Sequence, residues 1–422
     1  MKRGEEVHRV LTLVRDYLQC WLKGPPIYYA WMLFLLVVAA VGGIAYLSQL
    51  RGGLGVTAMT NQVSWGLYIS NFTFLVGVAA AAVLLIIPAY VYNWAPIKEI
   101  AVLGEGLAVS ALVMCMLFVT LDLGRPERVW HLLPGVGRPN FPSSMLVWDI
   151  IVLTGYLLLN VSIPLYILLK IYGGKGTKDW LIMPLIFLSI PWAVGIHTVT
   201  AFLYNGFGGR PFWNAAILAP RFLASAFCSG PAISLLAFQV IRRFSKFKVK
   251  DEALFKIGEM ICIAMGLNLF LLGCEVFKEL YTGSIHKSPI IYLYTGLHGH
   301  SALVPWIWTA TIFNVLAFFI FLIPKTRKNW ASLNLGCLLI VVGVWIEKGM
   351  GLIIPGFIPT PMGEIWEYTP NRIEILISAG VFAIGLLIYT LLLKVAVAIE
   401  TGEMRMPGAA AEGLSQGSAA GH

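Results

Sequence analysis

The chain has 422 residues, of which 58% are hydrophobic and 12% are charged, whereas soluble domains contain roughly half and a quarter. A soluble protein of this length cannot bury so much apolar surface, so the composition excludes a soluble enzyme, a disordered chain and a disulfide scaffold. The net charge of +9 does not indicate nucleic-acid binding, because the basic residues lie between apolar runs and membrane topology accounts for them. The sequence therefore predicts an all-α integral membrane protein.

Ten apolar runs are each about 20 residues long, the length with which a helix crosses a bilayer. A β-barrel would alternate polar and apolar side chains, and residues 78–87 do not alternate. We therefore expect ten membrane-spanning helices in a membrane domain of residues 25–400. The predicted spans are residues 27–50, 65–91, 100–121, 145–169, 181–203, 213–240, 257–277, 302–324, 331–354 and 373–397.

The charged residues predict the orientation of the chain and the nature of its ends. With the N-terminus in the cytoplasm, 20 of the 30 Lys and Arg residues fall in cytoplasmic segments and 8 in the opposite loops, so both termini are expected to be cytoplasmic. Residues 1–24 predict an interfacial helix and not a cleaved signal. Its apolar side consists of Val10, Leu11, Val14, Leu18 and Trp21. The Ala/Gly/Ser-rich residues 401–422 are expected to be disordered.

A short internal repeat indicates that a helical unit is duplicated. Leu103-Gly104-Glu105 opens the third predicted span, and Ile257-Gly258-Glu259 opens the seventh. The two segments are 154 residues and four spans apart, so they cross the membrane in the same direction. We therefore expect two four-helix bundles, residues 65–203 and 213–354, with one extra helix at each end.

The sequence offers few ligands for a bound redox centre. The six cysteines are scattered singly, and none forms the C-x-x-C pair typical of iron–sulfur or zinc sites. His197 is the only histidine deep within a predicted span, so two axial ligands for haem b are lacking. There is no P-loop and no soluble nucleotide-binding unit. We therefore expect no metal, haem or iron–sulfur cluster on this chain, and any such centre is expected on a partner.

Ionisable side chains in the predicted spans gather in the half of the membrane opposite the termini. Such residues are costly in a bilayer and are usually functional. His197 and Asp149, with His131 in the adjoining loop, are candidates for binding carbonyl or hydroxyl oxygens and exchanging protons. Arg221 carries a fixed charge suited to a carboxylate or a developing anion. Asn71 lies near the outer end of the second span.

Structural explanations compete with these assignments. Arg221 and Asp149 also satisfy the requirements of an ion pair between neighbouring helices. Glu347 and Lys348 favour a structural role, because adjacent residues on a helix point in different directions and each needs its own partner.

Two further pairs have alternative interpretations. His298 and His300 are as typical of interfacial loops as of a site. Glu105 and Glu259 are typical of helix starts, where the macrodipole stabilises acids. Alternatively, they begin a proton path from the cytoplasm.

Four motifs are long enough to compare with a known family. Asp122–Pro126 reads D-L-G-R-P, and His197–Phe202 reads H-T-V-T-A-F. Ala219–Phe222 reads A-P-R-F, and Trp65–Tyr68 reads W-G-L-Y. These motifs resemble the NrfD/PsrC family of polysulfide-reductase-type membrane subunits, which exchange electrons with quinones. The DsrP branch, from a sulfite-reductase-linked complex, is the most similar, and HmeC-, QrcD- and ActC-type subunits share much of the pattern.

The resemblance implies a fold, a cofactor and partners. It implies two four-helix bundles in a bacterial or archaeal cytoplasmic membrane, with a site for menaquinone or another quinone at the outer face. The implied partner is a ferredoxin-like iron–sulfur subunit at that face, followed by further redox subunits such as a multihaem cytochrome c. The implied catalytic residues are His131, Asp149 and His197, and those implied to bind the quinone are Asn71, Arg125, Asp149, His197 and Arg221.

We therefore expect a quinone-interacting subunit of a respiratory complex that is inactive alone, with proton translocation as a further hypothesis. A secondary transporter is the alternative, because a repeated bundle and helix-breaking prolines such as Pro164 and Pro231 suit one. Transporters place their binding site near the midplane, whereas the polar residues here gather at the outer end. A non-catalytic anchor for a soluble partner would leave the cost of burying His197 and Arg221 unexplained.

Overall fold

The computed structural model describes residues 2–133, 135–174, 180–283 and 285–406, and no strand occurs within these ranges. Ten helices of the described chain are long and apolar enough to cross a membrane, which confirms the predicted all-α polytopic fold. Spans 1 to 10 are Pro26–Gly52, Leu67–Val91, Ala95–Asp122, Met145–Tyr172, Met183–Asn205, Leu218–Phe244, Asp251–Tyr281, Val304–Leu322, Trp330–Phe357 and Arg372–Glu400.

Two helix starts differ from the predicted runs because of interactions that hydropathy does not record. Span 6 begins at Leu218, five residues after the predicted Trp213, because Trp213 lies in a turn and its indole donates to the carbonyl of Leu352 at 2.9 Å. Span 7 begins six residues early, at Asp251. Two acids occupy its first turn, where the helix macrodipole stabilises negative charge, and an apolar run does not reveal that extension.

The loops define two faces of the protein. We call the terminal face the one that carries the helix Lys2–Leu22 and the last described residues, and the distal face the opposite one. At the terminal face the indole of Trp21 donates to the carbonyl of Leu391 at 3.2 Å, and the hydroxyl of Tyr172 donates to Asp16 at 2.7 Å. The N-terminal helix therefore lies against the ends of spans 10 and 4. A cytoplasmic location for the terminal face stays a prediction.

The structure of the two chain ends tests the predictions for the segments outside the membrane domain. On the N-terminal helix Leu11, Val14 and Leu18 are exposed, and Val10 lies outside the residues whose side chains are described. The first residues of the predicted tail are packed: Met404 is buried, and the amide of Met406 donates to the carbonyl of Tyr172 at 3.0 Å. The prediction of a disordered tail is therefore limited to residues 407–422, which lie outside the described residues.

Helix contacts arrange the spans in two groups. Spans 2, 3, 4 and 5 each contact two others of their set in a ring, and so do spans 6, 7, 8 and 9. We call these sets the first and the second bundle. Span 10 packs on span 3 and also holds span 1, while spans 2 and 5 meet spans 6 and 9 between the bundles. The duplication and the domain limits inferred from sequence stay predictions.

Glycines set the closest helix approaches, as is common between membrane helices. A β-carbon on Gly230 of span 6 would lie 3.2 Å from the carbonyl oxygens of Gly77 and Val78 on span 2. A β-carbon on Gly42 of span 1 would lie 2.6 Å from the α-carbon of Gly380 on span 10. The first contact joins the two bundles beside the site described below, and the second holds span 1 to the rest.

Candidate proton-exchange site

Span 5 presents three polar side chains to the interior of the first bundle, in its distal half. His197, Thr200 and Tyr204 are spaced i, i+3 and i+7, so they share one side of the helix, and each is at most 2% exposed. Thr200 donates to Oδ1 of Asp149 at 2.6 Å, and the hydroxyls of Tyr204 and Thr73 lie 2.5 Å apart. These five residues join spans 2, 4 and 5, and we call them the first-bundle polar group.

His197 also borders a small cavity between the two bundles. Its Nδ1 has no hydrogen-bond partner among the described residues, although the side chain is buried. The cavity has a volume of about 10 Å³, which is room for one water molecule. Spans 2, 5, 6 and 9 all contribute to its walls, which include Thr73, Phe74, Gly77, Phe222, Ser229 and Lys348.

An aromatic layer covers the polar group on its distal side. The rings of Trp65, Tyr204, Trp213 and Phe357 form contacts with centroid distances of 5.1 to 6.2 Å. The guanidinium of Arg210 lies 5.0 Å from the ring centroid of Phe357 and closes the layer towards the distal loops. Packed rings of this size exclude water, so the polar group is shielded from the distal loops.

A second set of charges is buried in the distal half of the second bundle. Arg221 forms ion pairs with Glu275 and with Glu347, whose Oε1 lies 2.8 Å from Nη2. Nζ of Lys348 lies 3.3 Å from the same Oε1. All four residues are at most 4% exposed, and formally they carry two charges of each sign. We call them the ion cluster.

Two asparagines complete the surroundings of Glu347. Asn268 and Asn314 donate to its Oε2 at 3.3 and 2.9 Å. Buried charges need such partners, because desolvation costs several kcal/mol per ion. Lys348 is the least satisfied member of the ion cluster, since its ammonium has three donors and Nζ makes no well-aligned hydrogen bond to the described residues.

The observed partners decide between the structural alternatives raised by the sequence. Arg221 pairs with Glu275 and Glu347, and Asp149 accepts from Thr200, so Arg221 and Asp149 are not an ion pair. Glu347 and Lys348 do take part in ion pairs, as a structural role requires. They also contact each other, because Nζ of Lys348 reaches the same Oε1 of Glu347 that pairs with Arg221.

The other residues predicted for the site are more widely spread. Asn71 is buried and accepts from the indole of Trp345 at 2.9 Å, which links spans 2 and 9. His131 is exposed on the short helix Pro126–Leu132 of a distal loop. Arg125 is exposed just before that helix and lies 3.4 Å from Glu127. The structure therefore buries Asp149 and His197 in the distal half of the first bundle, with His197 one helical turn from the Thr200 that bonds Asp149. It places Arg221 in the ion cluster and leaves Arg125 and His131 at the surface.

The two distal-loop histidines differ in their contacts. His298 is exposed, whereas Nδ1 of His300 lies 3.4 Å from Oε2 of Glu367. Oε1 of Glu367 also accepts from the amide of Ala302 at 2.7 Å and from the hydroxyl of Tyr292 at 3.2 Å. Burial raises the pKa of Glu367, but the hydrogen bonds from Ala302, His300 and Tyr292 outweigh it, so the pKa lies below its ordinary value.

Glu105 and Glu259 occupy unlike environments, although the sequence repeat aligns them. Glu105 is 1% exposed, and neither of its carboxyl oxygens has a partner among the described residues. Glu259 is 39% exposed and pairs with Lys256 and Arg327 at 2.9 and 3.2 Å. Neither acid caps a helix start, because spans 3 and 7 begin several residues earlier.

Three members of the first-bundle polar group are absent from the predicted site. Thr73, Thr200 and Tyr204 are residue types that apolar spans commonly contain, so composition does not single them out. The available signal is the i, i+3, i+7 spacing of Thr200 and Tyr204 from His197, which places them on one helix face.

Comparisons with known proteins identify the family of the chain. The chain matches the family model described as polysulphide reductase, NrfD, over residues 55–360, which contain spans 2 to 9. It is 26% identical to a selenate reductase subunit of Mesobacillus selenatarsenatis, over 85% of this chain and 91% of that protein. It is 24% identical to the Hdr-like menaquinol oxidoreductase integral membrane subunit of Archaeoglobus fulgidus, over 87% and 92%. It is also 24% identical to the menaquinone reductase integral membrane subunit of Nitratidesulfovibrio vulgaris, over 86% and 89%. The motif resemblance is thereby confirmed, and the chain belongs to the NrfD polysulphide reductase family.

Proposed function

We propose that this chain is the quinone-reactive membrane subunit of a multi-subunit redox complex, with menaquinone or a related quinone as its substrate. Family membership supports this, as do two relatives that are membrane subunits of a menaquinol oxidoreductase and a menaquinone reductase. We further propose that the chain is inactive alone and exchanges electrons with an iron–sulfur subunit docked on the distal face. The motifs shared with the DsrP branch favour a complex of sulfur metabolism.

The first-bundle polar group carries the proposal. A quinone supplies two-electron chemistry at two ring oxygens, and each proton that leaves or joins an oxygen needs a positioned acceptor or donor. His197 offers an imidazole with an unpartnered nitrogen, and Asp149 offers a carboxylate held in place by Thr200. The first-bundle polar group is buried and shielded from the distal loops, and its two titratable side chains could each serve one of the two oxygens of the quinone ring.

The cavity beside His197 is too small for the ring, because it has room for a single water molecule. We propose that the ring reaches Asp149 and His197 from the lipid, along the seam between spans 4 and 5. The outward side chains Ile151 and Phe202 of these spans are 43% and 45% exposed, as lipid-facing residues are. Opening of this seam on binding is part of the proposal.

The remaining predicted site residues take supporting places. Arg125 and His131 lie on the distal surface, where we propose that they border the entrance and the docked partner. Asn71 and Arg221 are buried and bonded to other side chains, so we propose that they shape the site without touching the ring.

Substitution of the two titratable groups tests the proposal in the assembled complex. His197→Gln and Asp149→Asn should each lower quinone-linked turnover about 100-fold while leaving subunit assembly and bound iron–sulfur content unchanged. Thr198→Ala is the matched control, because Thr198 is only half-buried and its hydroxyl donates to the backbone carbonyl of Val194 in its own helix. Parental turnover in both variants, or purified complex that never contains quinone, would overturn the assignment and favour a transporter or an anchor.

We also propose that turnover moves protons from the terminal face, and the unpartnered Glu105 is the observation that favours it. The hydroxyl of Tyr156 and Oδ1 of Asn160, on span 4, and the hydroxyl of Tyr389, on span 10, are likewise buried without partners among the described residues. Unsatisfied polar groups at this depth are expensive, and a file of water molecules would satisfy them.

Reconstituted vesicles test the proton route. Glu105→Gln should lower the charge moved per quinone turned over while electron transfer continues. Glu259→Gln, at the aligned but paired and half-exposed position, should leave that ratio unchanged. Charge movement that is absent in the parent, or equal in parent and Glu105→Gln, would refute the route.

A further inference from the structure

The first-bundle polar group and the ion cluster meet at the small cavity between the bundles. His197 lines this cavity from span 5, and Lys348 lines it from span 9. Both residues are at most 3% exposed, and each has a nitrogen that makes no well-aligned hydrogen bond in the described chain, Nδ1 in His197 and Nζ in Lys348, although Nζ is also in the ion pair with Glu347. A buried polar atom left unsatisfied costs about 1–3 kcal/mol. The cavity between the two residues has the volume of one water molecule.

We propose that this cavity holds a water molecule that connects His197 to Lys348, so that the ion cluster receives the proton taken by His197. The inference rests on the proposed function, in which His197 faces the quinone. One ring nitrogen of His197 gains a proton from the substrate hydroxyl, and the other releases its proton to the water. The same water gives a proton to the neutral amine of Lys348. One O–H bond of the substrate and one N–H bond of His197 break, one N–H bond forms on His197 and one on Lys348, and the water is unchanged. The electrons of the quinol leave to the iron–sulfur subunit of the proposed function.

Lys348 is the member of the ion cluster suited to this exchange. Arg221 does not deprotonate in proteins, and its fork is occupied by two carboxylates. With Lys348 neutral, the ion cluster carries one net negative charge, and protonation of Lys348 removes it, which low-dielectric surroundings favour. The charged and titratable groups around Lys348 are Arg221 and Cys228 of span 6, Glu275 of span 7, Glu347 of span 9 and His197 of span 5.

Lys348 therefore acts through the water and His197 and is a positioning residue that does not contact the quinone. This role differs from simple stabilisation of the second bundle in one respect. A stabilising Lys348 would influence how much complex folds, whereas a connected Lys348 also sets the rate and the pH dependence of proton release from His197.

Gly77 allows the water to be removed without touching a titratable group. Gly77 lines the cavity, and a β-carbon there would lie 3.5 Å from the α-carbon of Ala226 and 3.7 Å from the hydroxyl of Ser229, which is ordinary contact. Gly77→Ala therefore fits the fold and fills the space of the water. Gly195→Ala is the matched control, because a β-carbon at that position of span 5 meets nothing within 4 Å.

The experiment measures quinol oxidation by the assembled complex as a function of pH. Gly77→Ala and Lys348→Met should each lower kcat about tenfold or more, with KM and bound quinone unchanged and the pH profile altered in the same way. The double variant with Gly77→Ala and Lys348→Met should be no slower than Lys348→Met alone, because both substitutions interrupt the same connection. A high-resolution density map of the parent should show the water, and that of Gly77→Ala should lack it.

The outcomes separate this inference from the proposed function. If His197→Gln is inactive while Gly77→Ala keeps the parental kcat and pH profile, the connection is refuted and the quinone site stands. If His197→Gln is fully active, the proposed function fails first. Because Gly77→Ala leaves every charge in place, the test remains decisive even if Lys348→Met does not fold. A dry cavity in the parent map would also overturn the inference.

Discussion

Replacing Arg221 by Gln tests whether the ion cluster is held together by charge balance. Arg221 pairs with both Glu275 and Glu347, and all three residues are at most 4% exposed. Its loss leaves two buried carboxylates with Lys348 as the only cation of the cluster. Removing one partner of a buried ion pair costs about 3–5 kcal/mol, which corresponds to a rise of roughly 100- to 5,000-fold in the unfolding equilibrium constant.

The assay is denaturant or thermal unfolding of the purified chain in one detergent, with a second substitution that restores the balance. Arg221→Gln with Glu275→Gln leaves Glu347 opposite Lys348, so the double variant should recover much of the lost stability. Adding Glu259→Gln instead should recover none, because Glu259 lies in an exposed pair worth little to stability. A single variant as stable as the parent, or a double variant that loses the sum of both single costs, would refute the charge-balance reasoning.

Two further predictions concern the helix contacts and the distal loops. Gly42→Ala should destabilise the chain by about 1–3 kcal/mol through overpacking, because its β-carbon would lie 2.6 Å from the α-carbon of Gly380. Gly43→Ala is the control and should be neutral, because its β-carbon would meet nothing within 4 Å. Equal unfolding midpoints for the two variants would contradict the prediction. Hydrogen bonds lower the pKa of Glu367, so its loop contacts are complete above the ordinary Glu value of about 4.3 and are lost as the pH falls through the lowered pKa. Hydrogen exchange at the amide of Ala302, corrected for its intrinsic rate, should therefore speed up below that pH, and a pH response that persists in Glu367→Gln would disprove the assignment.

The fold was largely predictable because the bilayer imposes a length on each helix. Each of the ten apolar runs corresponds to a span, and local chemistry accounts for two of the starts that differ from the prediction. Trp213 lies outside span 6 because its indole donates to the carbonyl of Leu352. Span 7 begins earlier than predicted, at Asp251. Neither effect is encoded in hydropathy, since the first depends on a residue 139 positions away and the second on the helix dipole.

The site was predictable in depth but not in pairing. Asp149, His197 and Arg221 were identified because charged or polar residues in a span are rare, and all three are buried in the distal half. Their partners depend on which helices touch and how each is rotated, and one sequence does not contain that information. Glu275 and Glu347 do lie at the same depth as Arg221 on other spans, so matching opposite charges by depth would have predicted the ion cluster.

The two bundles share a helix plan and differ in how they treat titratable groups. In the first bundle, His197 has a nitrogen and Glu105 has both carboxyl oxygens without partners in the described chain. In the second bundle, Glu259, Glu275 and Glu347 are paired with basic side chains. Ionisable groups buried in a membrane without a partner are usually functional. The contrast therefore supports the proposed proton exchange at the first bundle, with Lys348 of the second bundle as the proposed receiver of the proton. The cavity beside His197, which both bundles line, is the place where the ion cluster meets the proposed proton exchange.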